Sequence, residues 1–123
     1  RIMERKLTLV LGASSKPERY SNKATLRLLD AGHPVVAVGL REGDIAGTPI
    51  VTTIPEGGPI DTVTMYMSAQ NQEAWEQRIL ALRPKRIIFN PGAENERLSK
   101  LAADQGIEVV EGCTLVMLSV GTF

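Results

Sequence analysis

The stretch Leu7-Thr8-Leu9-Val10-Leu11-Gly12-Ala13-Ser14-Ser15-Lys16-Pro17-Glu18-Arg19-Tyr20-Ser21 decides the fold. Its first five residues form a nearly continuous apolar run of strand length, the pattern of a strand covered on both faces in a parallel sheet. Gly12 ends the run and a polar loop follows. Ser21 is placed to cap a helix on which Ala24, Leu28 and Ala31 recur at helical spacing, with Leu29 beside them. Gly32 closes that helix, and Pro34 leads into the second short apolar run, Val35-Val36-Ala37-Val38. Strand, helix and strand within about thirty residues make a β-α-β unit.

The same alternation continues outward. Thr62–Met67 reads as a third strand, followed by a helix capped at Asn71 and carrying Trp75, Ile79 and Leu82 as far as Pro84. Arg86–Phe89 reads as a fourth strand. Asn90-Pro91-Gly92 is a turn, 94–105 a helix with Leu98, Leu101 and Ala102 on one side, and Ile107–Val110 a fifth strand. Gly39 to Pro59, rich in Gly, Pro and Thr, has room only for a short strand or turn around Ile50 to Thr53, running along one edge. Gly112 to Phe123 is left as a short tail. The reading is an α/β class fold, a Rossmann-like doubly wound parallel sheet of about five strands in the order 3-2-1-4-5 with helices on both faces. It occupies a single domain over 6–123, with 1–5 as an N-terminal tail.

Bulk properties bound the function. At 123 residues one domain suffices. Fourteen basic and fourteen acidic residues leave no net field to gather nucleic acid, so no nucleic-acid partner is expected. The lone Cys113 has no internal disulfide partner and no secretory signal pattern opens the chain, which points to a cytoplasmic location. The apolar runs are far shorter than the ~20 residues that span a bilayer, so no membrane segment is expected. The apolar run Leu115 to Val120 either packs in the core or builds a homodimer interface.

In doubly wound sheets the ligand crevice lies beyond the carboxyl ends of the strands where the winding reverses, here beside the first strand. That geometry brings Gly12–Arg19, Gly39–Gly43, Met67–Gln70, Asn90–Ala93 and Glu111–Thr114 to one rim. It sends His33, Asp61, Lys85 and Arg86 to the opposite end, which removes the only histidine from consideration. Gly12 lets backbone approach a ligand, and the amides of Ala13, Ser14 and the following helix start are candidate donors to phosphate oxygens. Lys16 and Arg19 add positive charge beside them. The dinucleotide motif G-x-G-x-x-G is broken, because Ser14 and Pro17 occupy its second and third glycine positions, and an ordinary strand-to-helix turn is the competing reading. Where NAD-binding domains place an acid on the ribose, this chain has Val38-Gly39-Leu40-Arg41. Arg41 suits a phosphorylated ribose, hence coenzyme A or NADP, while Glu42 keeps NAD open. Cys113 sits at the rim as a thiol or as a small hydrophobe. Glu94, Asn95 and Glu96 read as helix capping. No metal-ligand cluster, nucleophile elbow, Walker lysine or histidine-based pair occurs at the rim, so no catalytic residue is assigned.

Several short stretches carry a resemblance. Leu9-Val10-Leu11-Gly12-Ala13-Ser14, Lys16-Pro17 with Arg19-Tyr20-Ser21, Ile45-Ala46-Gly47-Thr48-Pro49-Ile50, Phe89-Asn90-Pro91-Gly92-Ala93-Glu94-Asn95-Glu96 and Gly112-Cys113 together resemble the small stand-alone coenzyme A-binding proteins. They also resemble the nucleotide-binding domain of the succinyl-coenzyme A synthetase α subunit. The resemblance implies non-catalytic binding of coenzyme A or an acyl derivative, a small-molecule nucleotide ligand, in a sensor, carrier or regulatory module. Taken with the rim, it implies contacts from Gly12, Ala13, Ser14, Lys16, Arg19, Tyr20 and Ser21, then Gly39, Leu40 and Arg41, and finally Met67, Asn90, Gly92 and Cys113. Two positions depart from the pattern. Val38-Gly39-Leu40-Arg41 stands where Val-Asn-Pro-Lys is usual and keeps only the basic residue, and Met67-Ser68-Ala69-Gln70 lacks a common arginine. The synthetase's phosphohistidine has no counterpart, so a complete acyl-coenzyme A synthetase is not expected. A minimal NAD(P)-binding oxidoreductase subunit and an interaction module with a decayed nucleotide site are the alternatives.

Overall fold

Residue alternation along short, fully buried strands sorts the core into two layers. A computed structural model describes residues 4–56 and 58–123, so residues 1–3 of the expected tail lie outside the described residues. The strands are β1 (Thr8–Leu11), β2 (Val35–Val38), β3 (Gly43–Ile45), β4 (Thr48–Val51), β5 (Thr62–Met65), β6 (Arg86–Phe89) and β7 (Glu108–Glu111). The helices are α1 (Tyr20–Asp30), α2 (Ala69–Gln72), α3 (Glu76–Leu82), α4 (Glu96–Asp104) and α5 (Thr114–Val120), with a 3-10 turn, Glu73–Trp75, between α2 and α3. Leu9, Leu11, Val63, Met65, Ile87 and Phe89 point to one face and meet Ile79 of α3 and Leu98 and Ala102 of α4. Val10 and Ala37 point to the other face, with Leu28 of α1 and Leu118 of α5. Helices therefore cover both faces of a sheet whose central strands β1, β5 and β6 are buried along their whole length.

The sheet order is β3-β4-β2-β1-β5-β6-β7, parallel throughout except that β3 runs antiparallel to β4. The Rossmann-like, doubly wound class holds, but seven strands replace the expected five and the order is corrected. The segment Thr62–Met67, expected outside the second strand, contributes β5 and pairs with β1 on the other side. The place beside β2 is taken by β4, the short element anticipated near Ile50. The physical reason is β3. It carries the chain back down the sheet edge, so the parallel pair β2 and β4 is joined without a crossover helix. Ala46 (φ 49°) and Gly47 (φ 88°) form the two-residue turn of this hairpin, and the Gly47 amide donates to Asp44 Oδ2 at 2.9 Å.

The expected tail is also corrected. Its apolar residues form α5, packed on α1 and ended by Gly121 at φ 79°, while Val116 and Val120 stay exposed. Helix starts shift as well: Arg19 and Ser68 hold the cap positions of α1 and α2, and Ser21 and Asn71 lie inside those helices. Asn95 caps α4, its Oδ1 accepting from the Leu98 amide at 3.0 Å. At the amino end of the sheet, His33 Nδ1 accepts from the Lys6 amide (3.1 Å), and Phe123 packs on the His33 ring and under the Arg86 guanidinium. Among the described residues no helix is long and apolar enough to cross a membrane.

Candidate ligand-binding site

The loop between β1 and α1 is pinned flat across the carboxyl ends of β2 and β5. The Gly12 and Ala13 amides both donate to the Val38 carbonyl, at 2.8 and 2.9 Å. Gly12 has φ 99°, and a Cβ there would stand 3.0 Å from the main-chain carbon and oxygen of Tyr66. Its lack of a side chain thus serves packing against the chain just past β5, a different reason from the expected approach to a ligand. The Ala13 amide, expected as a phosphate donor, is already committed to the sheet. The amides of Ser14 and Ser15, and those of Tyr20 and Ser21 at the start of α1, have no partner among the described residues. Ser14 holds the loop in shape: its hydroxyl accepts from the Lys16 amide (3.1 Å) and its carbonyl from Asn22 Nδ2 (2.9 Å).

Over this loop opens a cavity of about 690 Å³. Of the expected residues, Gly12, Ala13, Ser14, Lys16, Arg19, Tyr20 and Ser21 line it from the loop and α1. Leu40 and Arg41 line it from the segment after β2, and Met67 from the segment after β5. Gly39 and Gly92 do not line it. Gly39 has a structural role, since the Ala13 carbonyl occupies the space a side chain would need, and Gly92 sits in an open turn at φ 90°. Asn90 and Cys113 face a second cavity instead. Sequence reasoning missed Ser15, Tyr66, Ser68, Asn71 and Pro91 as lining residues. Ser15, Ser68 and Pro91 fall inside the rim segments already nominated. Tyr66 was hidden within the third strand, which ends one residue before it.

Charge accumulates around the loop. Lys16, Arg19 and Arg41 form no ion pair among the described residues, and Glu42 is the one carboxylate lining the cavity there. The first turn of α1 carries no acid and its cap position makes no side-chain bond, so the positive end of the helix is uncompensated. Free amides, a helix start and three unpaired cations favour a multiply charged anion.

The second cavity, about 300 Å³, is mainly apolar and shares Tyr20, Tyr66 and Pro91 with the first; Asn90, Cys113 and Leu115 complete it. Beneath it lies a buried polar network. Asn90 Nδ2 donates to Thr64 Oγ1 (2.8 Å) and the Met65 carbonyl (2.9 Å), and Asn90 Oδ1 accepts from the Thr114 amide (2.8 Å). The Thr64 and Thr114 hydroxyls bond each other at 2.7 Å. The Tyr66 hydroxyl is buried beside this network with no hydrogen-bond partner among the described residues. Burial, and next the Cys113 thiol beside it, push its pKa up to about 12, with the Thr114 and Thr64 hydroxyls opposing.

A family model described as a CoA binding domain matches residues 6–119. A solved structure of an uncharacterized protein is 47% identical, with a TM-score of 0.95, covering 98% of this chain and 100% of its own. The structure of cell-free ID.343 from Thermus thermophilus, 23% identical, covers 97% of this chain and 91% of its own at a TM-score of 0.85, and so shares the fold. Uncharacterized protein YneT of Bacillus subtilis (strain 168) is 24% identical over 102 residues, 82% of this chain and 76% of that protein.

Proposed function

The chain belongs to the CoA binding domain family, and on that premise we propose that it binds coenzyme A by laying the diphosphate on the loop after β1. The Ser14, Ser15, Tyr20 and Ser21 amides donate to the phosphate oxygens in this reading, and Lys16 and Arg19 neutralise them. Arg41 takes the 3′-phosphate at the adenosine end. The observation that carries the proposal is the trio Lys16, Arg19 and Arg41, without an ion-pair partner among the described residues, around one cavity in a chain whose net charge is zero. Three exposed cations against the single carboxylate of Glu42 leave a local positive excess that suits a multiply charged anion.

The role assigned is binding without a catalytic residue, as a sensor or carrier in the cytoplasm. The molecule pairs as a homodimer through the exposed Val116 and Val120 of α5, which a light-scattering mass tests. Calorimetric titration with coenzyme A, its 3′-dephospho form and NADP tests the ligand. Coenzyme A is expected to bind at least tenfold more tightly than either of the others. Absence of binding to coenzyme A overturns the proposal, and equal binding of the dephospho form removes the role of Arg41.

A further inference from the structure

We infer that the second cavity takes the acyl group of a short, uncharged acyl thioester, an inference that rests on coenzyme A occupying the first. The two cavities adjoin, because Tyr20, Tyr66 and Pro91 wall both. The 300 Å³ of the second equals roughly ten water-sized groups at ~30 Å³ each, enough for the sulfur-bearing end of the ligand and about four acyl carbons. A long fatty chain would run out beyond its walls into solvent.

The lining chemistry narrows the class further. Tyr20, Tyr66, Pro91 and Leu115 offer apolar surface, and no cation lines the cavity among the described residues. Asn90, the polar side chain there, has both amide protons and its carbonyl committed to Thr64, Met65 and Thr114. A carboxylate on the acyl chain would therefore be desolvated with no cation to pair it, only the neutral Tyr20 and Tyr66 hydroxyls and the Cys113 thiol as donors. A neutral chain instead gains about fourfold in affinity for each methylene it buries. The thioester selected is thus short and without a second acid group.

Calorimetry with free coenzyme A, butyryl-coenzyme A and succinyl-coenzyme A tests this. Butyryl-coenzyme A is expected to bind at least tenfold more tightly than free coenzyme A, and succinyl-coenzyme A no more tightly than free. Leu115→Trp fills the cavity and is expected to bring the butyryl-to-free ratio to about one. Cys113→Phe serves the same purpose should Leu115→Trp melt early. A wild-type ratio of one, with free coenzyme A still bound, overturns this inference and leaves the ligand assignment standing. Equal butyryl and succinyl affinities overturn it, as does a ratio that survives both variants. No binding of any of the three overturns it together with the coenzyme A reading.

Discussion

The carbonyl oxygen of Ala13 lies within 3.0 Å of where a Cβ would stand on Gly39. The obstacle is backbone, so no side chain can rotate away, and the loop carrying Ser14 and Lys16 must lift off β2 to admit even a methyl group. Gly39→Ala is expected to lower the unfolding free energy by about 3 kcal/mol in urea titrations. Gly92→Ala meets nothing within 4 Å and pays only for its positive φ, about 1–2 kcal/mol. A milder loss at Gly39 than at Gly92 would show that the loop is not pressed against the sheet.

Truncating the cations tests the site. Lys16→Ala and Arg19→Ala are each expected to weaken coenzyme A binding about tenfold by calorimetry, the scale of one charge-assisted contact. Arg41→Ala is expected to weaken coenzyme A by a similar factor and leave the 3′-dephospho form nearly unchanged. If the two ligands suffer equally, Arg41 serves general attraction and not the ribose phosphate.

The Tyr66 hydroxyl has no hydrogen-bond partner among the described residues, and the Thr64, Thr114 and Asn90 bonds beside it form without it. Tyr66→Phe is expected to leave stability unchanged or raise it by up to ~1 kcal/mol, because a buried, unsatisfied group is removed. Asn90→Ala strands the Thr114 amide, while the Met65 carbonyl keeps the main-chain amide of residue 90, and is expected to cost about 2 kcal/mol. Chemical denaturation separates the two cases.

His33 supplies a pH dependence. Burial first, then the Lys6 and Arg86 cations, lower its pKa below 6.5. As pH falls through 6.5 the unfolded chain takes up a proton that the folded protein refuses, so stability drops on the acid side and is complete above 6.5. Protonation would also break the bond that Nδ1 accepts from the Lys6 amide. The melting temperature is expected to fall between pH 6.5 and 5.5, and His33→Asn to flatten that interval; an unchanged slope would exclude His33 as the cause.

The class of fold and most of the rim were legible because they rest on short-range patterns. Leu9 to Leu11 and Ile87 to Phe89 are apolar on both faces, and the loop after a first parallel strand has one place to go. The strand order was not legible, because the hairpin that displaced it turns on Ala46-Gly47, where asparagine before glycine is the usual signal. The roles of Gly39 and Gly12 escaped for a related reason: each is required by backbone from a distant segment, Ala13 or Tyr66, and no local pattern reports a tertiary contact. The second cavity was out of reach because its walls come from four separate segments. The termination of β5 at Met65, which frees Tyr66 to form one of them, depends on pairing with β1 and β6.

The hairpin of β3 and β4 places Leu40, Arg41 and Glu42 on a connection whose outer strand is bonded to β4 alone. Lengthening or exchanging that connection leaves the five strands inside β4 untouched. In the coenzyme A reading proposed above, the adenosine end of the cavity is therefore the part that loop grafting is expected to re-specify, whereas the loop after β1, wedged between β2 and β5, tolerates no such exchange.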